Sequence, residues 1–163
     1  MSDKKIALLT GSFDPLTLGH YDIALRAAKM FDTVYVVGFF NSEKKGCFSA
    51  EERLELLRAA FEDYDNIIVD VSCDMVANYA EKISADVIVK GIRTTIDFAY
   101  EHNLAEISRR LSPNIETVFI PAKAELSYIS STYVREMIKY NHSICDAVPE
   151  KCIPIINRIK NLR

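Results

Sequence analysis

The chain is predicted to fold as an α/β domain: a doubly wound, five-stranded parallel sheet with helices on both faces, forming a single domain over residues 1–163. Three observations carry that prediction. Short β-branched runs alternate with amphipathic stretches along nearly the whole sequence. The strand-length runs are apolar throughout instead of alternating, the pattern of strands buried on both faces. The connections are short, with no internal repeat, low-complexity tract or Gly/Ser linker to divide the chain.

Taken in order, strands are expected at 5–10, 34–40, 67–71, 87–90 and 117–120, and helices at 21–31, 50–61, 75–83 and 96–111. The helices carry apolar residues at i, i+3 and i+4, as in Leu54, Leu57, Ala60 and Phe61, so each should lay a stripe on the sheet. Ser49 and Glu52 have capping-box spacing, in which hydroxyl and carboxylate each satisfy an orphan N–H at a helix start. Two further helices, at about 130–140 and about 149–161, follow the last strand, the second with Ile155, Ile156 and Ile159 on its apolar side. Strand–helix alternation with short links implies right-handed crossovers. In such sheets ligands bind beyond the carboxyl ends of the strands, where strand order reverses. Five loops lie at that end, and they are expected to converge on one crevice.

Composition narrows the partners. The 163 residues carry a formal net charge of −3, which offers no general basic field to a nucleic-acid backbone. The longest apolar run, 34–40, falls far short of the roughly 20 residues that span a bilayer. Met1-Ser2-Asp3-Lys4-Lys5 leads towards a strand and not towards a signal-peptide core. The expectation is a cytoplasmic protein without nucleic-acid or membrane partners. Cys47, Cys73, Cys145 and Cys152 form no C-x-x-C pair and no zinc-ligand spacing, so reduced thiols are expected and no chemistry is assigned to them.

The most informative stretch is Gly11-Ser12-Phe13-Asp14-Pro15-Leu16-Thr17-Leu18-Gly19-His20, a loop between the first strand and the first helix. Glycine permits a sharp turn and close backbone approach, and a helix N-terminus presents unpaired N–H groups to anions. His20 sits where an imidazole can hydrogen-bond a phosphoryl oxygen, though a capping or packed histidine is the plainer role. Lys44-Lys45-Gly46 offers two ammonium groups, or merely a solvated loop. Lys90-Gly91-Ile92-Arg93 ends a strand in two cations, which either face a ligand or make ion bridges to Asp97 and Glu101. Ser130-Ser131-Thr132 opens a helix as a second anion site or an ordinary cap, and Arg135, opposing the helix dipole, favours the anion. His102 and His142 are taken as surface or packing residues. Phe13, Tyr79, Phe98 and Tyr128 are read as core or pocket wall, with Tyr128 the best placed to touch a base.

On these residues the sequence resembles the nucleotidyltransferases with a (T/H)-x-G-H signature after the first strand, here Thr17-Leu18-Gly19-His20. Within that superfamily it is similar to the phosphopantetheine adenylyltransferase family through Gly11 to Pro15, Lys44, Lys90 to Arg93 with Asp97, Phe98, Tyr100 and Glu101, and Ile129 to Thr132 with Val134, Arg135 and Glu136. The resemblance implies a Rossmann-like fold, a homohexamer, and reversible transfer of AMP from ATP to 4′-phosphopantetheine with Mg²⁺, giving dephospho-coenzyme A and pyrophosphate in the penultimate step of coenzyme A synthesis. It implies catalytic roles for His20, Lys44 and Arg93. ATP would be held by Ser12, Phe13, His20, Gly91, Ile92, Arg93, Glu101, Leu126, Ser127, Tyr128, Ile129, Ser130, Ser131 and Thr132. The acceptor would be held by Ser12, Lys44, Val76 and Lys90. The chain departs from the family pattern in having Ser12 for the usual Thr, Lys90 for the usual Arg, and Leu126 where an aromatic is frequent. Alternative readings are a related nucleotidyltransferase with another acceptor, such as nicotinamide mononucleotide, flavin mononucleotide or glycerol phosphate, and a nucleotide-binding sensor without turnover.

Overall fold

The computed structural model describes residues 4–162; the expected lead-in Met1 to Asp3 lies outside them. Strands β1 (Ile6–Gly11), β2 (Thr33–Phe39), β3 (Ile67–Ser72), β4 (Val87–Ile92) and β5 (Glu116–Pro121) form one parallel sheet in the order β3-β2-β1-β4-β5. Helices α1 (Leu18–Ala28), α2 (Ala50–Phe61), α3 (Val76–Lys82) and α4 (Thr95–Leu111) link successive strands. Beyond β5 come a 3-10 turn at Ala124–Leu126, α5 (Ser131–Lys139), a second 3-10 turn at Glu150–Cys152, and α6 (Ile153–Asn161). Strand order reverses between β1 and β4, so the crevice at their carboxyl ends is the ligand position of this architecture.

The side chains of each strand alternate between two apolar clusters. Ala7, Leu9, Val34, Val36 and Val89 point to the larger cluster, with residues of α1, α2, α5 and α6. Leu8, Val37 and Ile88 point to the smaller, where Tyr79 and Ala80 of α3 cover them. Burial on both faces explains why the strands lack a polar alternation. The last helix closes the larger cluster with Ile156 and Ile159 buried, and Arg158 pairs with Glu55 of α2 at 2.6 Å. Among the described residues the four cysteines are free, and burial pushes the Cys152 thiol up to about 12, which makes it a packing residue.

Two expectations need correction. Helix α1 begins at Leu18, not at 21, because Thr17 caps it: its hydroxyl accepts the His20 N–H. Helix α4 does not bury its stripe. None of its residues is buried, and Ile96, Tyr100, Ile107 and Leu111 stand exposed, because the helix flanks the β4–β5 end of the sheet and turns those side chains outward.

Candidate active site

A cavity of about 330 Å³ opens at the carboxyl ends of β1 and β4. Its floor is made by Leu9 to Phe13, and its sides by the start of α1, the end of β4, the inner face of α4, and the entry to α5. The loop after β1 turns at Phe13, whose φ of 44° puts a bulky residue in the left-handed region. The expected glycine turn is therefore made elsewhere: no described glycine has a positive φ. Gly11 serves close approach instead, since a Cβ there would lie 2.8 Å from the Phe13 ring. That ring is buried and meets His20 edge-on at 5.1 Å.

His20 is the third residue of α1 and completes a reciprocal cap. The Thr17 N–H donates to His20 Nδ1 at 3.2 Å, and the Thr17 hydroxyl lies 3.1 Å from the same nitrogen. A main-chain N–H can only donate, so Nδ1 holds its lone pair and a neutral ring carries its proton on Nε2. Burial, and after it the Arg93 charge, lower the imidazole from 6.5 to about 4. The plainer role, a capping histidine, is thus real. It also fixes which nitrogen is left to donate to a ligand.

Lys90 and Glu101 face each other across the cavity wall at 3.0 Å, with their side chains 13% and 23% exposed. Arg93 Nε lies 3.0 Å from Asp97 Oδ2, and Thr94 caps α4 by accepting the Asp97 N–H. Both ion bridges weighed from the sequence therefore exist, and all four groups also line the cavity. Opposite them Ser130, Ser131 and Thr132 open α5. The Ser130 hydroxyl caps it through the Tyr133 N–H, and the Ser131 hydroxyl donates to Pro15 O at 2.8 Å. Arg135 donates to Asp14 O at 2.6 Å and to Thr132 Oγ1 at 2.9 Å. Thr10 Oγ1, on the cavity floor, is buried with no hydrogen-bond partner among the described residues.

Of the candidate residues, Ser12, Phe13, His20, Lys90, Gly91, Arg93, Glu101 and Ile129 to Thr132 share this cavity. Ile92, Leu126, Ser127 and Tyr128 do not line it. Leu126 packs on the larger core cluster, the Ser127 hydroxyl donates to Ala124 O, and Tyr128 is largely exposed with its ring against Tyr133. Lys44 is exposed on a neighbouring cleft lined by residues 40–42 and 44–50 with Arg53, and Val76 packs on the smaller cluster. The expected convergence of five loops is reduced to three, those after β1, β4 and β5. β3 stands two strands from the β1–β4 crevice, and the β2 loop lines a neighbouring cleft instead.

Sequence reasoning missed Asp14 and Arg53 as a pair. Asp14 accepts the N–H groups of Cys47 and Phe48, and Arg53 Nη2 lies 3.4 Å from its Oδ1. The signal was available, since Arg53 stands three residues before Leu56 on the buried stripe of α2.

The sequence profile of the cytidylyltransferase-like family matches residues 8–137, four-fifths of the chain, and takes in every wall of the cavity. The chain belongs to the cytidylyltransferase-like family. Membership places it in the nucleotidyltransferase superfamily, and the cavity holds cations of the kind such chemistry uses. A crystal structure of a Vibrio parahaemolyticus protein assigned as a nicotinate-nucleotide adenylyltransferase superposes with a TM-score of 0.75. The match covers 97% of this chain and 94% of that one at 18% identity, a likeness of fold. Among the described residues no helix is long and apolar enough to cross a membrane.

Proposed function

We propose that this cytidylyltransferase-like protein transfers AMP from ATP to 4′-phosphopantetheine, releasing pyrophosphate. The observation that carries adenylyl transfer is the oriented imidazole of His20 in one cavity with Lys90, Arg93 and the hydroxyl-rich start of α5. The acceptor rests on the sequence resemblance through Lys44, Lys90 to Arg93 and Asp97 to Glu101.

The attacking group is a phosphate monoester, largely ionised at neutral pH because its second pKa is about 6, so no general base is required. The protein has to align two polyanions and stabilise charge at the α-phosphate. The Nε2–H of His20 donates to an α-phosphoryl oxygen as charge builds there. Arg93 and Lys90 neutralise phosphate oxygens while Asp97 and Glu101, paired with them, hold the two cations in the cavity wall. The N–H groups and hydroxyls at the start of α5 receive the leaving pyrophosphate. Lys44 approaches from the neighbouring cleft and meets the acceptor phosphate.

Among the described residues no group of three or more His, Cys, Asp or Glu can hold a metal ion. Asp97 and Glu101, the cavity acids, are each paired with a cation. A Mg²⁺ ion would accordingly take most of its oxygens from the triphosphate, as magnesium commonly does, and lower the charge of that group. We also propose self-assembly of this protein through the exposed apolar stripe of α4, with a hexamer as the form the resemblance implies.

Pyrophosphate release is measured with ATP, Mg²⁺ and a panel of acceptors: 4′-phosphopantetheine, nicotinate and nicotinamide mononucleotides, flavin mononucleotide and glycerol phosphate. Release with 4′-phosphopantetheine at a kcat/KM at least tenfold above the others is expected. Preference for another acceptor moves the assignment within the superfamily, and silence with all of them indicates a nucleotide-binding sensor.

A further inference from the structure

We propose that Asp14 is a positioning residue: paired with Arg53, its carboxylate latches the β2–α2 loop onto the β1–α1 loop and so sets where Lys44 meets the acceptor phosphate. The role of Lys44 rests on the reading above; the latch itself rests on the geometry that follows.

Asp14 does not line the cavity, so it acts through what it holds. Its Oδ2 accepts the Cys47 N–H at 2.9 Å and its Oδ1 the Phe48 N–H at 2.7 Å. Arg53 sits against Oδ1 at 3.4 Å with its side chain 7% exposed, and Arg135 Nη1 stands 4.0 Å from Oδ2. The Arg53 guanidinium then ties the two loops a second time, donating from Nε to Phe48 O at 2.9 Å and from Nη1 to Ser12 O at 3.1 Å. Ser12 belongs to the cavity floor and Phe48 to the loop that carries Lys44, so a single buried ion pair spans both. Buried charge-assisted hydrogen bonds are strong and little screened by salt.

Two consequences follow for the loop. Its Cys47 and Phe48 N–H groups are taken by Asp14 and so are not available to a bound anion, while the Lys44 and Lys45 side chains remain on the cleft. The Lys44 N–H makes a local turn with Asn41 O at 3.0 Å, leaving the placement of the turn to the latch a few residues on. Gly46 fits this arrangement, since a Cβ there would collide with the Arg53 guanidinium. Removing one partner of a buried pair leaves the other uncompensated, and the loop is the part free to move in response.

The test substitutes Asp14→Asn, which keeps shape and removes charge, with Arg53→Lys used in its place if circular dichroism shows that Asp14→Asn does not fold. Trypsin cleavage after Lys44 or Lys45 should speed up about tenfold while the rest of the chain resists, the mark of an unlatched loop. The KM for 4′-phosphopantetheine should rise about tenfold or more with the ATP KM changed less than about twofold. The double variant with Lys44→Ala should bind acceptor no worse than Lys44→Ala alone. Unchanged cleavage overturns the latch. Equal rises in both KM values, or multiplying effects in the double variant, overturn its action through Lys44. An unchanged acceptor KM in Lys44→Ala itself overturns the assigned role of that lysine, and the cleavage rate then decides the latch alone.

Discussion

At the residue scale the account turns on one nitrogen. Because the Thr17 N–H occupies His20 Nδ1, the proton sits on Nε2, and with a pKa lowered to about 4 the ring stays neutral through the physiological range. His20→Ala should lower kcat by about 10²-fold or more with the fold intact, as loss of one positioned donor to a developing charge does elsewhere; steady-state kinetics and circular dichroism check both halves. The depressed pKa also predicts a stability trend. The unfolded chain binds a proton at this histidine below about 6.5 and the folded one only near 4, so stability is full above pH 6.5 and falls as pH drops through that window. Urea unfolding at pH 7 and pH 5 should show the loss in wild type and a smaller loss in His20→Gln. At Lys90 the charge matters more than the fork, since its partner Glu101 is held by a single 3.0 Å contact. Lys90→Arg is therefore expected to retain activity within about tenfold in kcat/KM. Ser12, His20, Lys90, Arg93 and the hydroxyl cap were legible as cavity candidates because each sits in a short local motif; Arg53 stood out only as a cation on an apolar stripe, and its pairing with Asp14 was hidden because the two are 39 positions apart and meet only when the loops fold together.

At the scale of elements, the start of α1 shows how a cap can serve a site. Thr17 satisfies the His20 N–H and touches the imidazole, so one hydroxyl both stabilises the helix and orients the ring. Thr17→Ala should cost about 1 kcal/mol, lowering Tm by about 2–4 °C in a chain of this size, and should reduce kcat without a matching change in the KM for ATP. Differential scanning calorimetry and kinetics read the two effects separately. The strand and helix sequence was readable from periodicity because the residues that define each element are local. The boundary of α1 was placed three residues late because a threonine cap, followed by Leu18 and Gly19, carries a weak apolar signal. Helix α4 misled for the opposite reason. Its apolar spacing was correct, but periodicity says that a face is apolar and not what covers it.

At the scale of the whole molecule, strand order decides which loops meet. Parallel pairing of β1 with both β2 and β4 puts the reversal beside the first loop and brings the β4 and β5 loops to it, while the β2 loop lines the adjoining cleft. Alternation of strands and helices foretold a doubly wound sheet but not this order, which depends on long-range pairing. The exposed α4 stripe, with Ile96 80% and Tyr100 63% accessible, is an apolar surface of the kind that marks an interface. Light scattering should therefore report an assembly, and Ile107→Glu should shift it towards smaller species. The central claim is adenylyl transfer at the His20 cavity. It is tested most directly by incubating wild type and His20→Ala with ATP, Mg²⁺ and 4′-phosphopantetheine and following the adenylylated acceptor by mass spectrometry. The account predicts dephospho-coenzyme A from wild type and about a hundredfold less from the variant; no adenylylated product from wild type, or equal product from both, would contradict it.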